Sequence, residues 1–235
     1  MLIDLHAHSS KISWCCQITG DEVINRAINC GIDGIVLTNH YQKYYFNDGD
    51  SLSFAKRYIE EFYDVKSYGD KIGFKVFFGL EVTLHKYDDS HVLIYGVDED
   101  FVLKYHDMYN YDLEYLFKIV HENNGILVQA HPYRKSMDGL LDLNYLDGIE
   151  VNCHPLYNGT HFDKLSDIAS NYNKILTCGG DYHADTYRPK CGVYLPDEIT
   201  DTFKMVTYLT NVNYIRMCIQ EVDGSLPFEY IYKNN

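Results

Sequence analysis

Short β-rich runs in this sequence repeatedly end in a histidine or a carboxylate, and this pattern restricts the fold more than any other feature. Six runs do so, ending in His6 with His8, His40, Glu81, His131, Glu150, and Asp181 with His183. In an α/β barrel, the carboxyl ends of the parallel strands all open on one face. The pattern therefore predicts a barrel-like α/β fold in which these scattered residues meet in one cleft.

The β-rich runs alternate with amphipathic helical stretches, which is typical of an α/β domain with mainly parallel strands. Thr19 followed by Glu22 is a capping box that begins a helix, and Gly31 ends it. Further helices are predicted over residues 54–68, 113–120 and Phe162–Tyr172, and near residues 202–209. Strands are predicted over residues 2–8, 34–38, 74–84, 91–97, 126–128, 148–151 and 175–178, and near Tyr214–Ile219.

Length and composition fit one domain. The chain has 235 residues, 46% of them hydrophobic, and no linker or repeat divides it, so residues 1–235 are expected to form a single barrel domain. No apolar run approaches the roughly 18 residues of a membrane span, and the N-terminus does not resemble a signal peptide. Seven cysteines form an odd set without paired zinc-ligand spacing, which favours reduced thiols and a cytoplasmic location.

The charge balance limits the possible partners. A formal net charge of −14 without a basic cluster argues against binding of long nucleic acids, which requires Lys and Arg patches. It does not exclude small anions, since divalent ions reverse the local sign at a carboxylate-rich site. No membrane partner is expected, and the sequence leaves the oligomeric state open.

Spacing at both ends of the pattern indicates a metal site. Side chains alternate along a strand, so His6 and His8 point the same way, as do Asp181 and His183. Imidazoles mixed with carboxylates suit zinc, manganese or iron. A carboxylate that bridges two ions would hold them close together, an arrangement that activates water and stabilises a phosphoryl transition state.

Several other polar residues lie close to the candidate ligands in the sequence. Asp4 is expected to support the first histidine pair and not to bind metal itself. Glu150, Asn152 and His154 share one strand face, but the sequence does not show whether they reach the ions. The remaining histidines are expected to lie on the surface; they are His85, His106, His121 and His161.

The sequence resembles the polymerase and histidinol phosphatase (PHP) superfamily. The motifs that carry the resemblance are, in order, Asp4-Leu5-His6-Ala7-His8-Ser9, Leu37-Thr38-Asn39-His40, Gly79-Leu80-Glu81-Val82, Ala130-His131-Pro132 and Gly180-Asp181-Tyr182-His183. The resemblance implies a distorted (β/α)7 TIM-like barrel of the PHP type, with two to three divalent ions (Zn, Mn or Fe) at its C-terminal face. Most activities of the family are phosphoester hydrolysis.

The family's ligand roles carry over by position. They imply the metal ligands His6, His8, His40, Glu81, His91, His131, Asp181 and His183. Glu81 matches the carboxylate that bridges two ions, His131 and His91 match ligands of the second ion, and Asp181 matches a ligand of the first. His40 and His183 match ligands of a third ion.

One departure from the family concerns this third ion. The family places an Asp or His a few residues after the first histidine pair, following a Ser, whereas Trp14 follows Ser13 here. An indole N–H cannot bind a divalent ion. The sequence therefore predicts two firmly held ions and a third that is weak or absent unless substrate phosphate completes its shell. Cys15 or Cys16 could supply a thiolate, although neither stands at the family's position.

These observations together lead us to expect a hydrolase of small phosphate esters, histidinol-phosphate-like or nucleotide phosphomonoesters, that uses metal-activated water. His40 or His183, if not bound to metal, would protonate the leaving alcohol, and Arg134 would bind phosphate through its planar fork. For Arg134 a surface ion pair is an equal alternative. The alternative functions are a 3'-5' exonuclease or phosphodiesterase acting on short oligonucleotides, a non-catalytic metal-binding protein, and an amide hydrolase.

Overall fold

A computed structural model describes residues 1–46, 50–134, 139–183 and 188–234. Within these ranges the α-helices are α1 (Gly20–Asn29), α2 (Ser51–Ile72), α3 (Glu99–Lys104), α4 (Leu113–Glu122), α5 (Phe162–Tyr172) and α6 (Thr202–Asn211). The strands are β1 (Leu2–Ala7), β2 (Gly34–Leu37), β3 (His40–Tyr41), β4 (Lys75–Leu84), β5 (Ser90–Tyr95), β6 (Ile126–Gln129), β7 (Gly148–Asn152), β8 (Ile175–Gly179), β9 (Gly192–Tyr194), β10 (Tyr214–Ile219) and β11 (Phe228–Lys233). Helix and strand thus mix in one α/β fold, as expected.

A single sheet joins these strands in the order β11-β10-β9-β1-β2-β4-β5-β6-β7-β8, and β3 pairs with β4 beside this path. The last strand of this order comes back to β1, because Ala7 at the end of β1 forms a parallel bridge with Tyr182, just after β8. At the same place the Asp181 N–H donates to the His6 carbonyl at 2.8 Å. The sheet is therefore nearly closed into a barrel.

The expectation of mainly parallel strands is correct for only part of the sheet. Strand pairs β1–β2, β2–β4, β3–β4, β6–β7 and β7–β8 are parallel. By contrast, β5 runs antiparallel to both β4 and β6, and β9 to β11 add antiparallel pairs beside β1. Only residues 85–89 separate β4 from β5. A parallel crossover needs about a dozen residues or more, so this connection must be a hairpin.

Local signals account for the helix boundaries. Thr19 and Glu22 form the predicted capping box at the start of α1. α2 is longer than the predicted 54–68, because Asp50 accepts a hydrogen bond from the Ser53 N–H and so begins the helix earlier. Its end is set by Gly73, which takes the left-handed conformation (φ 77°) that ends helices. No helix in the described ranges has both the length and the apolar character to cross a bilayer.

β1 is buried on both faces, with apolar side chains on one face and polar side chains on the other. Ile3 and Leu5 lie in a buried apolar cluster that also contains residues of β4 to β8 and α6. Because side chains alternate along a strand, Asp4 and His6 point to the opposite face, and both are fully buried. The strand thus carries buried polar side chains that must find partners inside the protein.

A buried ion pair supplies those partners for Asp4. Its Oδ1 accepts hydrogen bonds from the His6 N–H (3.0 Å) and the Gly180 N–H (2.8 Å), and its Oδ2 accepts one from Arg188 Nη2 at 2.5 Å. Arg188 also lies over the ring of Tyr182, with 4.9 Å between the guanidinium carbon and the ring centroid. Asp4 therefore ties β1 to the segment after β8, across the seam where the barrel closes.

Replacing Arg188 with Met should lower the free energy of unfolding by about 3–5 kcal/mol, because it leaves the buried Asp4 carboxylate without its cation. Arg216→Met is the matched control. Arg216 pairs with Glu229 at 2.6 Å, but the two side chains are 53% and 49% exposed, so its loss should cost less than about 1 kcal/mol. Urea unfolding measures both, and equal losses would contradict a special role for the Asp4–Arg188 pair.

Candidate metal centre

Glu81, in the middle of β4, stands at the centre of a group of buried histidines. Its Oε1 lies 2.7 Å from His91 Nδ1, 2.9 Å from His131 Nε2 and 3.4 Å from His6 Nε2. Its Oε2 lies 2.6 Å from His40 Nδ1. Glu81 is fully buried, so this carboxylate faces imidazoles and not water.

Asp181, just after β8, is the second carboxylate of the group. Its Oδ1 lies 2.9 Å from His8 Nε2, 3.3 Å from His6 Nε2 and 3.5 Å from His183 Nδ1. His8 Nε2 is also 3.4 Å from Glu81 Oε2. His6 and His8 therefore lie between the two carboxylates, as the shared direction of their side chains predicts.

The eight residues proposed as metal ligands all come together here. Three sets have ligand atoms within 4.8 Å of one another: His6 with His8, Glu81 and Asp181; His40 with Glu81 and His91; and His8 with His40 and His183. The first set matches the ligands expected for the first ion. The second set shows that His40 lies beside Glu81 as well as near His183. His40 is therefore closer to the expected bridging carboxylate than the sequence implied.

His91 reaches the site from the beginning of a strand. The parallel strands place their site residues at their carboxyl ends. β5 runs antiparallel to β4, so the amino end of β5 lies beside the carboxyl end of β4. His91 pairs in register with Thr83, two residues beyond Glu81 on the same strand face. This hairpin explains why a histidine outside the strand-end pattern joins the cluster.

Two candidate ligands adopt a left-handed backbone conformation. His131 has φ 30° and Asp181 has φ 48°, values that cost non-glycine residues about 1–3 kcal/mol. Hydrogen bonds hold both: the His131 N–H donates to Glu150 Oε2 at 2.9 Å, and the Asp181 N–H donates to the His6 carbonyl at 2.8 Å. The fold thus maintains strained turns at the positions that aim these side chains inward.

Glu150 orients His6 from outside the cluster. Its Oε1 accepts a hydrogen bond from His6 Nδ1 at 2.9 Å, which directs Nε2 toward Glu81 and Asp181. Asn152 Nδ2 donates to the other oxygen of Glu150 at 2.9 Å. A carboxylate on the remote nitrogen fixes the orientation of an imidazole and raises its basicity as a ligand. Glu150 and Asn152 therefore support the site, and Asp4 does so through the His6 N–H.

Ser13 and Asn39 support His8 and His40. Ser13 Oγ lies 3.2 Å from His8 Nδ1, accepts from the His40 N–H at 3.0 Å, and donates to Asn39 Oδ1 at 2.9 Å. The same Asn39 oxygen accepts from the Ser9 N–H at 2.7 Å. This network fixes the turn after β1 against the turn after β2. The sequence motifs contain Ser9 and Asn39 but do not show these contacts.

Charge interactions shift several pKa values. Burial alone would raise the pKa of Glu81, but the charges of His40, His91 and His6 hold it well below its usual range. Burial lowers the pKa of His40, but Glu81 and Cys15 together outweigh this effect and raise it to about 10. Burial dominates at His131 and lowers its pKa to about 3. Burial would also raise the pKa of Asp181, but His6, His183 and His8 hold it well below its usual range. Both carboxylates are thus ionised, and His131 is neutral, the form in which imidazole binds metal.

Some polar atoms of the centre lack a hydrogen bond to other protein atoms in the part of the chain that the structure describes. His6 Nε2, His40 Nδ1 and Glu81 Oε2 are buried and make no hydrogen bond of good geometry among the described residues. This holds although His40 Nδ1 and Glu81 Oε2 are only 2.6 Å apart. A buried polar atom without a partner costs about 1–3 kcal/mol, and more when it is charged. All three atoms face the middle of the cluster, where a divalent cation would give each of them a bond. The residues present therefore fit metal ions of the type expected from the sequence.

Arg134 and Tyr157 line the edge of the centre next to His131. Arg134 Nη1 is 2.9 Å from the Tyr157 hydroxyl and 3.3 Å from His131 Nε2. The Tyr157 hydroxyl in turn donates a short hydrogen bond to Asp181 Oδ2. Arg134 therefore points into the site, and no ion pair between its guanidinium and a surface carboxylate occurs among the described residues. Tyr157 lies in a loop without a recognisable motif, so sequence reasoning missed it.

The other histidines lie outside the clusters of possible ligands. His154 stacks on Tyr157, with ring centroids 4.5 Å apart. His121 pairs with Asp147 at 3.0 Å on the surface, and His85 pairs with Asp89 at 2.6 Å. His121 and His85 are thus at least partly exposed, as expected of surface histidines, with 44% and 25% of their side chains accessible.

The turn after β1 places the three residues Trp14, Cys15 and Cys16 differently. Trp14 points outward and is 54% exposed. Cys16 is buried, and its Sγ donates to the His8 and Ile18 carbonyls. Cys15 Sγ lies 3.1 Å from His183 Nε2. Burial would raise the pKa of Cys15, but hydrogen bonds with His183 and His40 lower it to about 6. Of the two cysteines that could supply a thiolate, Cys15 is therefore the one beside His183.

Comparison with known proteins adds independent findings. The PHP domain profile matches residues 4–187. A candidate metal-dependent phosphoesterase from Bifidobacterium adolescentis superimposes with a TM-score of 0.60 at 15% identity, covering 88% of this chain and 96% of that one. PsfC from Pseudomonas syringae gives 0.61 at 18% identity, covering 86% of each chain.

A third structure similar to this chain is an amidohydrolase from Chromobacterium violaceum, solved with bound sulfate and no metal. Its TM-score is 0.57 at 15% identity, over 89% of this chain and 97% of that one. No curated protein sequence gives a significant match. At these identities the structural likeness establishes the barrel type of the fold.

Glu150→Gln should weaken binding of the ion at His6 by about 10–100-fold, because the neutral amide no longer strengthens the imidazole as a ligand. Competition with a chromophoric chelator measures the affinity, and circular dichroism checks that the variant folds. Glu229→Gln, an exposed carboxylate on β11, is the control and should bind as the unchanged protein does. Equal affinity in the Glu150 variant would show that Glu150 does not tune His6.

Proposed function

This chain belongs to the PHP domain family, and from that premise we propose that it is a metal-dependent hydrolase of small phosphate esters. The proposed substrates are phosphomonoesters, either histidinol-phosphate-like or nucleotide-like. The observation that carries the proposal is the position of Arg134, whose guanidinium lies beside the candidate ligand His131 and points into the metal centre.

The guanidinium of Arg134 suits a phosphate group better than a neutral amide. Its planar fork donates parallel hydrogen bonds that match two oxygens of a phosphate. Tyr157 holds it through a hydrogen bond at 2.9 Å, and the guanidinium lies against the Tyr157 ring at 5.6 Å from its centroid. Because the fork is held in place beforehand, less conformational entropy is lost when an anion binds.

The candidate ligands would place divalent ions next to this fork. When bound, such ions lower the pKa of water and neutralise phosphate oxygens. Glu81 and Asp181 would hold two ions between them, with His6 and His8 on one side and His91 and His131 on the other. Arg134 would orient the ester so that its phosphorus faces this pair.

The leaving alcohol needs a proton, and two imidazoles near the edge of the centre are candidates to supply it. His183 lies at the rim of the centre with 12% of its side chain exposed, whereas His40 lies deeper, at 7%. Their rings are 5.8 Å apart. We propose that one of them, when it is not bound to metal, protonates the leaving group.

Turnover should depend on metal. The purified protein should hydrolyse at least one member of a panel of metabolite phosphomonoesters with manganese, zinc or iron present, and chelation should abolish this activity because the centre binds substrate through its ions. The panel also contains dinucleotides and acyl amides. Turnover of only these would replace the proposal with a phosphodiesterase or an amide hydrolase, and unchanged turnover in metal-free protein would refute it.

Arg134→Ala should lower kcat/KM for the best phosphomonoester by about ten- to a hundred-fold, the scale of a lost charged hydrogen bond. Metal content should not change. Arg134→Lys keeps the charge without the fork and should recover only part of the loss. Arg216→Ala, an exposed arginine on β10, is the control. Wild-type kinetics in Arg134→Ala would remove this residue from substrate binding.

A further inference from the structure

The turn after β1 is held firmly against the metal centre. The Ser13 N–H donates to the Ser9 carbonyl at 3.0 Å, and the Cys16 N–H donates to the Ser13 carbonyl at 2.8 Å. The Gln17 N–H donates to the carbonyl of His183 itself at 3.1 Å. These bonds fix the backbone on both sides of Cys15, so the direction of its side chain follows from the fold.

Cys15 points at an imidazole nitrogen that is free to bind metal. His183 Nδ1 lies 2.7 Å from the Asp181 carbonyl, which can only accept, so the proton is on Nδ1. The lone pair of Nε2 then faces Cys15 Sγ at 3.1 Å. Zinc with its usual Zn–N and Zn–S bonds would separate tetrahedral nitrogen and sulfur ligands by about 3.6 Å. A shift of about half an ångström thus admits an ion between them.

A third donor stands next to this pair. Ligand atoms of His40 and His183 lie within 4.8 Å of each other and of His8. His40 is only 6% exposed. Its Nδ1 lies 2.6 Å from Glu81 Oε2, which leaves Nε2 as the atom that would bind a third ion. The Tyr45 hydroxyl lies 3.4 Å from Cys15 Sγ on its outer side, where its O–H can donate to a thiolate.

We propose that Cys15 is a thiolate ligand of a third ion, which it binds together with His40 and His183. The ligand set differs from the carboxylates and imidazoles around Glu81, because a thiolate favours zinc or ferrous iron and disfavours manganese. Three protein ligands with one open position also match the pattern of catalytic zinc sites. Such an ion would occupy both imidazoles, so it also decides whether either can donate a proton to the leaving group.

The inference rests on the proposed function only in requiring that the centre binds metal, and the test reads ligand chemistry instead of turnover. Metal-free protein is reconstituted with cobalt or zinc and compared with Cys15→Ser, Cys15→Asp and the control Cys30→Ser, a thiol at the end of α1. The unchanged protein and Cys30→Ser should show a thiolate-to-cobalt charge-transfer band. Both Cys15 variants should lack it.

X-ray absorption spectroscopy at the zinc edge should find a sulfur ligand about 2.3 Å from the ion in the unchanged protein and none in the Cys15 variants. Elemental analysis after dialysis should show that Cys15→Ser loses about one ion per chain, whereas Cys15→Asp keeps it through an oxygen ligand. This retention shows that the loss in the serine variant is not misfolding.

Two results would overturn the inference. One is the absence of a sulfur ligand in unchanged protein that binds metal. The other is a sulfur signal that persists in Cys15→Ser, which would locate the thiolate elsewhere, for example among the buried cysteines 153, 178 and 191. A sulfur ligand at Cys15 without hydrolysis of any phosphate ester would leave this inference standing and count against the proposed function alone.

Discussion

Glu81 and Asp181 are ionised carboxylates in the interior of the protein, and charges of this kind persist there only when opposite charges or ions surround them. Six imidazoles lie within 3.5 Å of their oxygens; they belong to His6, His8, His40, His91, His131 and His183. These imidazoles come from five strands or the turns after them. Neutralising the two charges therefore requires residues of several strands to meet at one place, and two of them, His131 and Asp181, do so from left-handed turns.

Much of this arrangement could be predicted, because its signals are local. A strand end is visible in the sequence as the place where a β-rich run stops, and alternation of side chains relates His6 to His8 without knowledge of the fold. Both indeed reach Asp181 Oδ1. The capping box of Thr19 and Glu22 is equally local and begins α1 as expected.

The features that could not be predicted depend on the path of the backbone through turns. Trp14, Cys15 and Cys16 are consecutive but point to solvent, to His183 and into the core, respectively. Its place after Ser13 made Trp14 the position at which a ligand of the third ion was expected. In the structure, the turn instead directs the next residue, Cys15, toward His183. Tyr157 likewise reaches Asp181 because of the path of a loop, which leaves no pattern in the sequence. β11 was missed because this strand is mostly exposed and lacks a period-two pattern.

The closure of the barrel between β1 and the segment after β8 has a consequence for how the chain acquires its structure. His8 and Asp181 are 173 residues apart in the sequence, and contacts of such long range form only after the entropy of closing a large loop has been overcome. During synthesis the first strand leaves the ribosome long before its partner exists. The metal centre is therefore assembled late in folding, and ions bound there would stabilise the completed barrel over partly folded forms in which β1 is still free.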